Sequence, residues 1–186
     1  MEIIEIIGFI SAVIGIYLSA EKKIYAWPIN IFSAGAYSLF FYEIRLYADA
    51  LLQLFFIASS CYGWYNWSKI SNENNDQLKI KILGFKKLFL SVISILILGF
   101  ITGYLFRTFT NADYAYFDSV LFSASIITTI LSAKLFLENW YLWIIINFAY
   151  ILLYLLKSAE LTAILYLILL GLAILGLIKW RKNIHV

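Results

Sequence analysis

Cysteine, histidine and proline each occur once in this sequence, as Cys61, His185 and Pro28. One cysteine excludes an internal disulfide and any zinc site built on thiolates. One histidine excludes a histidine-rich metal site and argues against histidine-based catalysis. No Gly/Ser/Pro-rich linker interrupts the chain, so residues 1–186 are read as one domain. Charge is scarce as well: 13% of residues are Asp, Glu, Lys or Arg, against about a quarter in soluble domains. There is no P-loop, no catalytic constellation and nothing that calls for a cofactor. The opening MEIIEIIGFI carries Glu2 and Glu5 but no Lys or Arg, unlike the positive start of a signal peptide.

What is present is apolar surface. The chain is 63% hydrophobic with a mean hydropathy of +0.88. A globule in water cannot hide that much, because part of its surface must face solvent. The lipid bilayer is therefore the expected partner. About 20 apolar residues let a helix cross it, and seven stretches approach this, near 3–20, 24–42, 47–67, 88–106, 115–133, 139–156 and 160–179. They are continuous runs and not alternating strands, which excludes a β-barrel. The expected fold is an all-α membrane protein of seven transmembrane helices. Residues 68–87 are read as a solvated connector. Its lysines Lys79, Lys81, Lys86 and Lys87 suit anionic headgroups better than nucleic acid.

Lysines and arginines divide unevenly between the two ends of such a bundle. Arg45, Arg107 and Lys157 fall on one side, and the other eleven of the 14 on the opposite side. The richer side is expected to be cytoplasmic. That puts the N-terminus outside and the C-terminus inside.

The chain also repeats itself. Shifting it by 113 residues lays Trp27 on Trp140, Tyr37 on Tyr150, Gly63 on Gly176 and Trp67 on Trp180, with no gap. Two tryptophans, a tyrosine and a glycine in one register exceed what an apolar composition gives by chance. The reading is a 3+1+3 arrangement. Repeat one covers about 1–67, a linker helix 88–106 and repeat two about 114–180. Equivalent helices are four crossings apart and point the same way, so a substrate would lie near the midplane between the halves.

Candidate site residues follow from spacing. Trp140, Trp143, Asn147, Tyr150 and Tyr154 fall on one face of the sixth helix. Aromatic planes with one amide suit a flat, neutral or cationic ring bearing hydroxyls. Trp140 by itself fits an interfacial belt equally well. Gln53 and Phe56 share a face of the third helix, with Gln53 inside an apolar run, where polar groups face a cavity or another helix. Asp49 and Asp118 open their helices and could be caps or site residues. Asn30 could serve packing or binding. Gly35, Gly63 and Gly176 are candidate points of close packing or bending. No carboxylate lies at the centre of a span, which favours facilitated diffusion over ion coupling.

The motif LYADALLQ (Leu46–Gln53) followed by YGWYNW (Tyr62–Trp67) resembles the first half of PnuC-type nicotinamide riboside transporters. ENWYLWIIINFAYILLYLLKSAELTAILY (Glu138–Tyr166) with GLIKW (Gly176–Trp180) is similar to the second half. The resemblance covers nearly the whole chain. It implies a fold like that of SWEET carriers and uptake of unphosphorylated nicotinamide riboside across the bacterial inner membrane. It also implies trapping by a cytoplasmic kinase and assembly as a homotrimer. It carries ligand contact onto Gln53, Trp140, Trp143, Asn147 and Tyr150. Relatives on the same scaffold carry thiamine or riboflavin, and these remain alternatives. A membrane subunit of an ATP-driven importer is a further one.

Overall fold

The computed structural model of the chain describes residues 2–43, 47–73, 78–109, 114–156 and 160–184. Among them are seven α-helices: α1 Glu2–Ala20, α2 Ala26–Glu43, α3 Tyr47–Glu73, α4 Phe85–Phe109, α5 Ala115–Ala133, α6 Glu138–Leu156 and α7 Glu160–Lys182. Five of these (α1, α4, α5, α6 and α7) are long and apolar enough to cross a membrane. The other two are more polar: α2 carries Asn30 and Ser33, and α3 carries Gln53 and Asn66. Pro28 sits in the first turn of α2, where its missing N–H costs no helical bond.

Packing follows a cyclic order. α1 packs on α2, α2 on α3, α3 on α5, α5 on α6, α6 on α7 and α7 back on α1. α4 stands outside this circuit and leans on α5. The C-terminal ends of α1, α3, α5 and α7 meet at one end of the bundle. There the Trp67 indole N–H donates to the Ser132 carbonyl at 3.2 Å, and the Trp180 indole donates to the Ser19 carbonyl, also at 3.2 Å. The two bonds are images of each other under the 113-residue shift. The same register holds for the rings. Trp27 meets Trp67 edge-on with centroids 5.2 Å apart, and Trp140 meets Trp180 edge-on at 5.5 Å. Trp67 and Trp180 touch across the middle at 6.1 Å.

Glycine makes this cluster possible. The Trp27 ring lies flat against Gly63, and a Cβ on Gly176 would sit 2.6 Å from the Trp140 ring. Gly35, by contrast, faces open space. A second polar link closes each seam. The Asn66 amide donates to the Ala133 carbonyl at 2.6 Å, and Lys179 pairs with Glu21.

α4 docks antiparallel on α5 through a small-residue stripe. A Cβ on Gly99 would lie 2.8 Å from Val120 Cα, and one on Gly103 3.0 Å from Tyr116 Cα. Glycines four residues apart let two backbones approach this closely. On α1, which aligns with α5 under the 113-residue shift, Ile3, Ile7 and Ile10 are exposed.

The stretch between α3 and α4 departs from the expected free connector. α3 continues to Glu73, and α4 begins at Phe85. Between them the Lys81 N–H donates to the Leu135 carbonyl at 2.8 Å, and its carbonyl accepts from the Leu137 N–H at 2.9 Å. The Leu83 N–H donates to Glu138 Oε1 at 3.0 Å. Leu78 and Leu83 are buried, while Lys79 and Lys81 remain exposed. Leu78 and Leu83 anchor the two ends of the segment against the α5–α6 turn and leave Lys79 and Lys81 in solvent.

Candidate functional site

α6 carries the densest set of candidate residues, and its geometry separates them. Trp140 and Tyr154 are fourteen positions apart, which at 1.5 Å per residue is about 21 Å along the axis. One small molecule cannot touch both ends. Trp140 is 2% exposed and belongs to the tryptophan cluster against Gly176 and Trp180. Its indole N–H is buried without a partner, as is that of its counterpart Trp27. One turn further on, half-buried Trp143 packs against Ile146 and Ala124. Asn147, at 4% exposure, is buried in the middle of α6.

At the other end of the face the tyrosines form a stack. Tyr150 and Tyr154 are near-parallel at 6.0 Å between centroids. Tyr166 of α7 stacks on Tyr150 at 4.5 Å and on Tyr154 at 5.3 Å. Tyr154 and Tyr166 also share a hydrogen bond, and Asp118 at the start of α5 lies within electrostatic range of the Tyr166 hydroxyl. α6 and α7 thus stack three hydroxyl-bearing rings, with the Asp118 carboxylate of α5 within electrostatic range. No lysine or arginine occurs in the body of α5, α6 or α7; their cations begin at Lys179.

The first half contributes differently. Gln53 and Phe56 are half-buried on α3. Asn30 is half-buried and its amide oxygen lies against Gly15, where a side chain would collide with it. The side chain of Asp49 lies outside the described residues. Tyr166 was not singled out by sequence reasoning, although a signal for it existed: the 113-residue register pairs it with Gln53. The same register pairs Asp118 with Glu5, and Glu5 lies near Tyr37, the counterpart of Tyr150.

Seven packed helices, five of them apolar enough to span, with polar and aromatic groups gathered on inner faces, define a multi-pass membrane protein. The sequence pattern of the nicotinamide mononucleotide transporter family matches residues 2–182, and the chain belongs to that family. It is 29% identical over 204 residues to the nicotinamide riboside transporter PnuC of Escherichia coli (strain K12), a match covering 97% of this chain and 85% of the relative. The riboflavin/roseoflavin transporter RibM of Streptomyces davaonensis is 19% identical over 178 residues, covering 95% and 83%. A crystal structure of the vitamin B3 transporter PnuC shares the fold, with a TM-score of 0.79 over 98% of this chain and 82% of that one, at 20% identity.

Proposed function

We propose that this chain imports nicotinamide riboside across the bacterial inner membrane by facilitated diffusion. The observation that carries the reading is the charge of the candidate site. Tyr150, Tyr154 and Tyr166 stack on one another with Asp118 within electrostatic range of Tyr166, and among the described residues no lysine or arginine occurs in α5, α6 or α7 before Lys179. Nicotinamide riboside is a flat pyridinium cation bearing sugar hydroxyls. Aromatic faces attract such a cation most strongly where water is excluded. Asn147 and Gln53 offer amides for hydroxyl or carboxamide groups, and an unpaired buried amide is costly enough to enforce orientation.

The family is named for the mononucleotide and the E. coli relative for the riboside. The two ligands differ by one phosphate. Phosphate adds about −1.5 to −2 charge near neutral pH, and the described bodies of α5, α6 and α7 hold no lysine or arginine before Lys179 to meet it. The riboside is therefore the expected substrate. Phosphorylation by a cytoplasmic kinase would trap it, so the carrier itself needs no energy source.

In this reading all seven helices cross the membrane as two parallel three-helix repeats joined by α4. The reciprocal Trp67–Ser132 and Trp180–Ser19 bonds support the repeat. The uneven distribution of lysine and arginine supports an outside N-terminus. The halves rock about the midplane and open alternately to either side. Assembly as a homotrimer rests on the resemblance alone.

The test is uptake of labelled nicotinamide riboside into liposomes holding only the purified protein. Accumulation to equilibrium without ATP supports a complete carrier. A need for ATP or a partner subunit would favour the importer-subunit reading instead. Competition by the mononucleotide, thiamine and riboflavin ranks the ligands. Riboflavin is the second reading, favoured by the likeness to RibM. If Gln53→Ala and Asn147→Ala both leave binding and uptake unchanged, the site assignment is wrong.

A further inference from the structure

We propose that the outer groove between α4 and α5 is a binding site for an anionic phospholipid, with one acyl chain in the groove and the phosphate at Arg107. The groove is a shallow, open one of about 640 Å³, lined by Leu96, Ile97, Phe100 and Ile101 of α4 with Tyr116 and Val120 of α5. Its lining is almost wholly apolar, so a polar solute gains nothing there. It exists because Gly99 and Gly103 draw the two backbones together, leaving the larger side chains on either flank to form its walls.

One end of the groove is marked by charge. Arg107 lies on the same face of α4 as Leu96 and Phe100, in positions i, i+4 and i+11. Its guanidinium stands over the Tyr116 ring at 5.8 Å. Tyr116 therefore walls the groove and supports the cation at its mouth. Leu96 to Arg107 is eleven residues, or about 16 Å of helix. That is close to half of a hydrocarbon core of about 30 Å. A single leaflet's acyl chain fits this length, with its headgroup phosphate at the level of the guanidinium.

α1 supplies an internal comparison. Ile3 and Ile7 hold the repeat positions of Tyr116 and Val120 and are exposed. Among the described residues no helix packs over them as α4 packs over Tyr116 and Val120. Ordinary lipid contact predicts similar labelling of both faces, whereas a site predicts enrichment at the groove.

The experiment uses the full chain in nanodiscs containing a trace of phosphatidylglycerol or phosphatidylcholine with a photoreactive mid-chain group, followed by peptide mapping. The expected result is phosphatidylglycerol labelling of peptides 96–101 and 116–120 above that of α1. Arg107→Gln should lower it about fivefold, the effect of one cation near an anionic surface, without changing phosphatidylcholine labelling. Ile97→Trp, on an exposed position, should fill the groove and lower both. Equal labelling of the groove and α1, or an unchanged signal in Arg107→Gln, would overturn the proposal. So would disulfide formation, driven by copper-phenanthroline, between two copies carrying Cys61→Ala with Phe100→Cys, because protein would then cover the groove.

Discussion

At the residue scale, aromatic rings in this protein do two kinds of work. Trp27, Trp67, Trp140 and Trp180 fill the meeting point of four helix ends, and glycine leaves room for two of them. Gly176→Ala should cost about 1–3 kcal/mol, as overpacking does, read as a lower melting temperature in detergent. Gly35→Ala, facing open space, should not destabilise the fold. The tyrosines of α6 and α7 form the second group. Tyr166→Leu should weaken riboside binding about fivefold by removing one cation–π face, and Tyr166→Phe should retain most of the affinity. The α6 face was legible in the sequence, because 3–4 spacing alone determines which side chains align. The division of that face into a structural end at Trp140 and a tyrosine end was not. It depends on α7, whose Tyr166 arrives through tertiary packing and is linked to Gln53 only by the repeat register.

At the element scale, hydropathy located all seven helices but marked only five as self-sufficient spans, since Trp, Tyr, Asn and Ser dilute α2 and α3. The continuation of α3 beyond Trp67 was hidden by the belt-like run of aromatics, which resembles a membrane boundary. No Pro or Gly stops the helix before Gly84. The docking of Leu78–Leu83 was also hidden, because a lysine-rich stretch reads as solvated when only its buried leucines tie it down. α4 depends on Gly99 and Gly103 for its seat on α5. Gly103→Leu should push the helices apart and cost more than 1 kcal/mol of stability, as overpacking of a close contact does. Faster protease cleavage between α3 and α4, with the riboside affinity of the remaining folded protein unchanged, would register it.

At the scale of the whole molecule, two seams join α3 to α5 and α7 to α1, each closed by a tryptophan N–H donating to a serine carbonyl. Trp67→Phe and Trp180→Phe keep a ring but delete that donor, and each should cost about 1 kcal/mol. Because the two rings touch, the double variant should depart from the sum by about 0.5 kcal/mol or more. Thermal unfolding of the four proteins checks this. The pairing of Trp27 with Gly63 and of Trp140 with Gly176 across 113 residues was visible only as coincident letters. Its physical content is a ring seated on a glycine at both positions, which only the packing of α2 on α3 and of α6 on α7 brings about.

In the proposed 3+1+3 arrangement of seven crossings α4 has no counterpart, and its consequence is one of parity. Three antiparallel helices leave the chain on the face opposite to where it started. A second copy begun there would be built upside-down, with Trp140 and Trp180 at the far membrane surface from Trp27 and Trp67. One additional traverse restores the starting face, and so this odd helix allows the four indoles to converge at a single pole of the molecule.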